Sequence, residues 1–231
     1  MKTVKQLIAE VAQLINDAEE GYEHIRWTEN ELIEYANDAV LQLMVVRPDV
    51  FTKVVDLPLK PGSQQELPEP ISQLIDVLGV RDVFGRVSGR PMRKNAAAAA
   101  VARNWFDELS CEVTAADGSY VPRSYEFAPE NPRMFYVEPP VPSGASVTLI
   151  VNAVVTPKHA ELDDKLPIES RFHNAVIEWM LYRAYSKDIE SAHDNQTSQQ
   201  HLAHFYNILQ VSQLADDRLH GITNRGSRNV T

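Results

Sequence analysis

Leu166–Asp188, reading LPIESRFHNAVIEWMLYRAYSKD, decides how the rest of the chain must fold. Pro167 suits the first turn of a helix, where its missing N–H costs nothing. Glu169 adds a carboxylate in that turn, which the helix dipole favours. On a helical wheel Phe172, Val176, Trp179 and Met180 share one face, and Ile177, Leu181 and Ala184 the next. Asn174, Glu178, Tyr182 and Tyr185 make up the remainder. A helix apolar over more than half its circumference is surrounded by other protein. The spacing therefore predicts a central post over 166–188 on which other helices pack.

Helices to pack on it stand at both ends of the chain. Val4, Leu7, Ile8, Val11, Leu14, Ile15 and Ala18 recur at helical spacing, which predicts a helix over 3–20 stopped at Gly21. Thr28 and Glu31 fit a capping box with Trp27 at the staple position, so a second helix starts there. Arg47-Pro48 ends it near Val46, because a residue before proline avoids the helical region. Asp194–Ala215 carries Leu202, Phe205, Leu209 and Ser212 on one stripe, with Tyr206 and Gln213 alongside, and pairs with the central post. The expectation is a four-helix cluster built from an N-terminal and a C-terminal hairpin.

Between the hairpins the pattern changes. Phe51–Leu57 is rich in β-branched residues, Lys60–Ser63 is a turn, and Gln65–Leu67 is a short extended piece. The Ile, Val and Gly content of Leu74–Val83 favours strand over helix. Gly85, Gly89 and Pro91 mark a loop, and Met92–Leu109, with alanine at every position from 96 to 100, reads as a helix. Tyr125–Phe127 and Met134–Val137 flank a hairpin turn, Pro139–Gly144 reads as a stiff connector, and Ala145–Val155 alternates as a central strand. The fold class is thus α+β: residues 1–50 a helical hairpin, 51–160 a β-rich region with one Ala-rich helix, 161–217 a second hairpin packing on 1–50, and 218–231 an extended polar tail.

Composition narrows the function. The 231-residue chain is 44% hydrophobic and 23% charged, long enough to bury a real core. It has no apolar run near the roughly 18 residues that cross a bilayer, and Glu10, Gln13 and Asn16 interrupt any signal-peptide core. Cys111 is the only cysteine, which rules out an intrachain disulfide and cysteine-based zinc sites and points to a reducing cytoplasm. With 22 basic against 32 acidic residues and a net charge of −10, the chain is a poor DNA gripper. A surface that DNA slides past suits that balance.

Candidate chemistry is sparse. His201-x-x-His204, with His193 nearby, could place two imidazoles on one helix face for a metal, but no carboxylate sits at the matching spacing and a polar helix flank is the commoner explanation, so no metal site is assigned. His173 reads as a hydrogen-bonded interior group. Asp163-Asp164 and Asp216-Asp217 read as solvated, Cys111 as a small semi-buried residue, and Pro139–Pro142 as a rigid link. No GxSxG, P-loop or post-strand GxGxxG occurs, so neither an enzyme activity nor a cofactor is expected.

Several stretches taken in order resemble tailed-phage head-to-tail adaptor proteins, also called connector or tail tubular proteins. They are Trp27-Thr28-x-x-Glu31-Leu32-x-x-Tyr35-x-Asn37-Asp38-Ala39, Val46–Asp49, Leu74–Val77, Gly89–Pro91, Asn131–Pro140 and Leu181–Asp188, within about Trp27–Gln210. The long first helix and the alanine run depart from the family pattern. The resemblance implies a structural virion protein at the head–tail junction, assembled in the host cytoplasm as a ring, typically of twelve copies. Its partners would be the portal protein, the tail or nozzle, and double-stranded DNA that passes without specific binding; no membrane is implied. It also implies a portal-grasping C-terminal extension, here Arg218, Arg225, Arg228, Asn229, Val230 and Thr231. Tyr182, Arg183, Tyr185 and Lys187 are more polar than a private core needs and become inter-subunit candidates. The alternatives are a tail-terminator or minor tail protein and, in a different class, a metal-binding helical enzyme domain around His193, His201 and His204.

Overall fold

A computed structural model of the chain describes residues 2–21, 24–81, 87–88, 93–94, 120, 122–128, 131–187 and 192–226. Among the described residues the fold is mixed α and β, with four α-helices and two four-stranded sheets. It divides into two compact units, Met1–Val50 with Pro157–Thr231, and Phe51–Thr156. No helix among the described residues is long and apolar enough to cross a membrane.

In the first unit, α1 (Val4–Leu14) opens on a capping box between Thr3 and Gln6. The amides of Val4 and Lys5 donate to the carbonyls of Asp164 and Leu162, so a distant loop satisfies first-turn donors that the helix cannot. α1 ends well before Gly21. Asn16 takes the left-handed conformation at φ 57°, which a short polar side chain tolerates, and ends the helix one position beyond the cap at Ile15. Asp17, buried at 7% exposure, then accepts the backbone N–H groups of Ile25, Arg26 and Trp27 and folds the following loop around its carboxylate.

α2 (Glu29–Val46) has the bounds that its local signals predict, with Thr28 and Glu31 capping reciprocally and Arg47 at the C-terminal cap before Pro48. The predicted post is shorter than its sequence suggests. Leu166 and Ile168 are buried while Pro167 is exposed, so this piece alternates like an extended lead-in and does not form a first turn. A 3₁₀ turn, Ser170–Phe172, then leads into α3 (His173–Lys187), and Glu169 makes no side-chain cap. The post is nonetheless the most enclosed helix: Ala175, Val176, Met180 and Ala184 are fully buried, and α1, α2 and α4 all touch it.

α4 (Ala192–Gly226) is the largest departure. The tail expected to be extended from Arg218 continues the helix to Gly226, giving a rod about 52 Å long at 1.5 Å per residue. Its buried stripe, Phe205 and Leu209, stops where the apolar period stops, and Gln213, Leu214, Ala215, Asp217 and Arg218 are exposed. Periodicity reports burial and is silent about a helix in water.

Arg47 binds these elements together. It is 1% exposed, yet its guanidinium donates to Asp49 Oδ1 and Oδ2 at 2.9 and 2.7 Å, to Ser212 Oγ at 2.7 Å and to Asp216 Oδ2 at 2.7 Å. It also lies 5.9 Å from the Phe172 ring centre. Arg171 reaches the other oxygen of Asp216 at 2.7 Å. Asp216, expected in solvent, is therefore forked between two arginines.

In the second unit one sheet runs β1 (Thr52–Pro58), β8 (Thr148–Val155), β3 (Ile71–Arg81) and β4 (Val87–Ser88). The other runs β2 (Gly62–Glu66), β7 (Met134–Val141), β6 (Ser124–Phe127) and β5 (Arg93–Lys94), with β5 parallel to β6 and the other pairs antiparallel. Inward residues of both sheets, among them Leu74, Val77, Leu149, Val151, Tyr125, Phe135 and Val137, form one core. β8 is central, as its two-sided apolar pattern implies. Buried Gln65 holds the β1–β2 turn by accepting from the Lys60 N–H at 2.8 Å and donating to the carbonyls of Lys60 and Gly62, while Gly62 supplies φ 105°.

Two expectations fail here. Pro139 and Pro140 belong to β7; they lie past Glu138, the last residue paired with β6, and between the Tyr136 and Val141 pairings with β2, where the ladder needs no N–H. Arg93 and Lys94 are strand where a helix was expected, and the rest of Met92–Leu109, the loop at Gly85, Gly89 and Pro91, and Cys111 lie outside the described residues.

Arg47→Ala removes a buried cation from two carboxylates and is expected to destabilise the helical unit by about 3 kcal/mol in urea titration. The guanidinium of Arg171, then that of Arg47, holds the Asp216 carboxyl below its ordinary range. A depressed folded pKa contributes stability above the unfolded value of about 4 and loses it as pH falls further. The unfolding midpoint should therefore drop more steeply in acid for the wild type than for Asp216→Asn.

Candidate functional site

Two of the stretches that carry the family resemblance meet each other. Trp27–Ala39 covers the cap and first half of α2, and Leu181–Lys187 the second half of α3. Trp27, 2% exposed, donates its indole N–H to the Ala184 carbonyl at 3.1 Å. Arg183 pairs with Asp38 at 3.0 Å and lies 5.2 Å from the Tyr35 ring centre. Lys187 donates to Glu31 Oε1 at 2.7 Å, while Glu31 Oε2 accepts from the Thr28 amide. Lys187 and then that amide hold the Glu31 carboxyl below its usual range, and burial, with the Glu31 charge beside it, raises the Tyr35 phenol. The two signatures are halves of one contact.

The inter-subunit candidates thus have neighbours in their own chain. Arg183 and Lys187 make the ion pairs just described, Tyr182 lies 5.1 Å from Trp179 ring to ring, and Tyr185 stacks on His201 at 5.6 Å with planes 3° apart. Both tyrosines remain half-buried. Truly exposed apolar side chains stand elsewhere: Leu41 and Val45 one turn apart on α2, and Tyr206, Val211 and Leu214 on α4. Sequence periodicity assigned Tyr206 to the flank of the buried stripe and singled out none of the other four.

Of the C-terminal candidates, Arg218 is exposed on α4 and Arg225 belongs to the same helix, while Arg228, Asn229, Val230 and Thr231 lie outside the described residues. His173 is interior at 6% exposure, but its Nε2 finds no acceptor or donor among the described residues. Burial, and next the Lys2 charge, lowers its pKa. The expected interior group is therefore interior, with Nε2 unpaired among the described residues.

His201 and His204 do acquire a carboxylate. It comes from α3, not from their own helix: Glu178 Oε2 is 2.7 Å from His201 Nδ1 and 3.5 Å from His204 Nδ1. Spacing along one helix cannot reveal a ligand supplied by another. The His193 side chain lies outside the described residues.

Asn37 is the functional-looking residue that sequence reasoning underused. It is 8% exposed, donates from Nδ2 to the Ile33 and Ala160 carbonyls at 3.0 Å, and accepts the Ala160 N–H at Oδ1 at 2.8 Å. An amide among Ile33, Ala36 and Val40 was the available signal. Asn37→Ala strands both polar groups of Ala160 and is expected to cost about 2–3 kcal/mol, while Asp38→Ala, on the exposed ion pair, should cost under about 1 kcal/mol; chemical denaturation separates the two.

Two comparisons with known proteins complete the picture. The search of curated proteins finds no match. The family model described as SU10 adaptor protein matches residues 2–228, and so spans every stretch that carried the resemblance as well as the long first helix that departed from it. The chain belongs to the SU10 adaptor protein family, a family of phage adaptor proteins.

Proposed function

We propose that this chain is one subunit of the ring that joins the portal to the tail and continues the DNA channel for genome retention and ejection. The observation that carries the reading is the family match over residues 2–228, which makes the chain a phage adaptor protein and so a structural component of the virion. Membership also speaks for a structural rather than a catalytic role. The finer reading adds the head–tail junction, a ring of about twelve copies as the resemblance implies, and contacts to portal and tail.

Three features support it. A net charge of −10 lets DNA pass without being held, since phosphate binding draws its affinity from lysine and arginine. The exposed pairs Leu41/Val45 and Val211/Leu214 are aliphatic faces that a neighbouring subunit would cover. The half-buried rings of Tyr182 and Tyr185 are suited to anchor such a contact. The portal-binding extension begins as helix, with Arg218 and Arg225 on α4 and the terminal residues following it. In this reading Arg218 and Arg225 would meet portal carboxylates.

Two experiments test the proposal. Electron microscopy of the protein mixed with its portal should show rings seated on the portal's narrow end. Truncation after Asp217, which keeps the Arg47–Asp216 pair, should abolish that seating; unchanged seating would return portal binding to another surface. The double variant Tyr182→Ala/Tyr185→Ala should lose ring assembly while retaining a native circular-dichroism spectrum. If assembly and folding fell together, the tyrosines would be core residues only.

A further inference from the structure

Glu178, His201 and His204 form a three-residue cluster that the adaptor reading does not use. Glu178 projects from α3; His201 and His204, three residues apart, project from one face of α4. One ligand atom from each lies within 4.8 Å of the others. The carboxylate oxygen Oε2 is aimed at both imidazoles, 2.7 Å from His201 Nδ1 and 3.5 Å from His204 Nδ1. Ligands about 2.1 Å from a tetrahedral zinc stand ~3.4 Å from one another, so Glu178 and His201 at 2.7 Å must part and the widest pair, within 4.8 Å, must draw together, each by a side-chain rotation.

The surroundings fit such a use. Tyr185 stacks on His201 with planes 3° apart, which holds that imidazole in one orientation. The Glu178 and His201 side chains are shielded at 23% and 21% exposure, while His204, at 60%, leaves the remaining side open to water. Two imidazoles with one carboxylate favour zinc and neighbouring transition ions over calcium or magnesium, which prefer all-oxygen shells. A hydrogen-bonded ion pair alone explains Glu178 with His201, but it leaves unexplained why the same oxygen also faces His204.

We propose that Glu178, His201 and His204 bind one zinc ion, with water at the fourth position, and that the ion staples α3 to α4. None of the three ligands is among the residues proposed for ring or portal contacts, so failure to bind zinc would leave the adaptor reading standing.

The test uses the full-length chain, stripped with chelator, dialysed and titrated with zinc by calorimetry. One equivalent should bind, and zinc at about a hundred times its Kd should raise Tm by roughly 5 °C. Cobalt should give the visible absorption of a four-coordinate site. Glu178→Gln should weaken zinc by more than roughly 10-fold, the loss that even outer-shell partners produce. His204→Ala changes an exposed side chain, so it should fold normally, confirmed by circular dichroism, and bind as weakly. Absence of binding to the wild type, or binding that survives His204→Ala, overturns the proposal and leaves a plain ion pair.

Discussion

The helical unit depends on one buried cation. Removing a guanidinium from water costs several kcal/mol (about) unless every donor finds an acceptor, and Arg47 meets that demand with residues from separate parts of the chain. Asp49 is local; Ser212 and Asp216 come from α4, and Phe172 from the entry to α3. Satisfying Arg47 therefore sets where α4 lies against the end of α2. Because the hydrogen bonds are directional, α4 cannot slide along its axis without losing Ser212 and Asp216 together. Arg171 reinforces the same point from the other side of the Asp216 carboxylate.

Around that constraint α3 has two kinds of neighbour. Its apolar faces are covered by α1, α2 and α4, while its polar residues reach outward to specific partners: Arg183 to Asp38, Lys187 to Glu31, Glu178 to His201. An exposed ion pair contributes under about 1 kcal/mol, so these bridges orient the helices more than they stabilise them. Orientation is what the proposed ring would require, since a small rotation of one helix would repeat at every interface. The α4 rod extends this logic by carrying Arg218 and Arg225 beyond the last buried residue of its stripe, Leu209.

The β unit is built differently. Its two sheets share one apolar core, and polar side chains pin it at several places, among them Gln65 closing the β1–β2 turn and Tyr125 donating to Asp76 at 2.6 Å. Burial, with that acceptor next, pushes the Tyr125 phenol up to about 12. The hydroxyl is therefore protonated, and a donor, at neutral pH.

Much of this was legible in the residues because some signals are local. Thr28 with Glu31, and Arg47 before Pro48, bound α2 by cap chemistry and proline sterics that act within a turn. The two-sided apolar run at Val147–Val155 marks β8 as central because burial on both faces leaves no polar alternation. Six short stretches taken in order, Trp27–Ala39 and Leu181–Asp188 among them, likewise pointed to the family. What they could not convey is that Tyr35, Asp38 and Glu31 face Arg183 and Lys187, since that pairing spans some 150 residues. The same holds for Asp216, which looks solvated until Arg47 and Arg171 are brought to it, and for Glu178, which completes a His pair from another helix. Pro167 and Pro139-Pro140 misled because a proline excludes conformations without choosing among those left; lead-in or turn, strand or connector is settled by the ladder and the core. α4 past Ala215 was invisible because an exposed helix leaves no apolar period. Local stereochemistry wrote the elements into the sequence, and only long-range pairing of polar groups, buried for Arg47 and exposed for Arg183 and Lys187, decided how they meet.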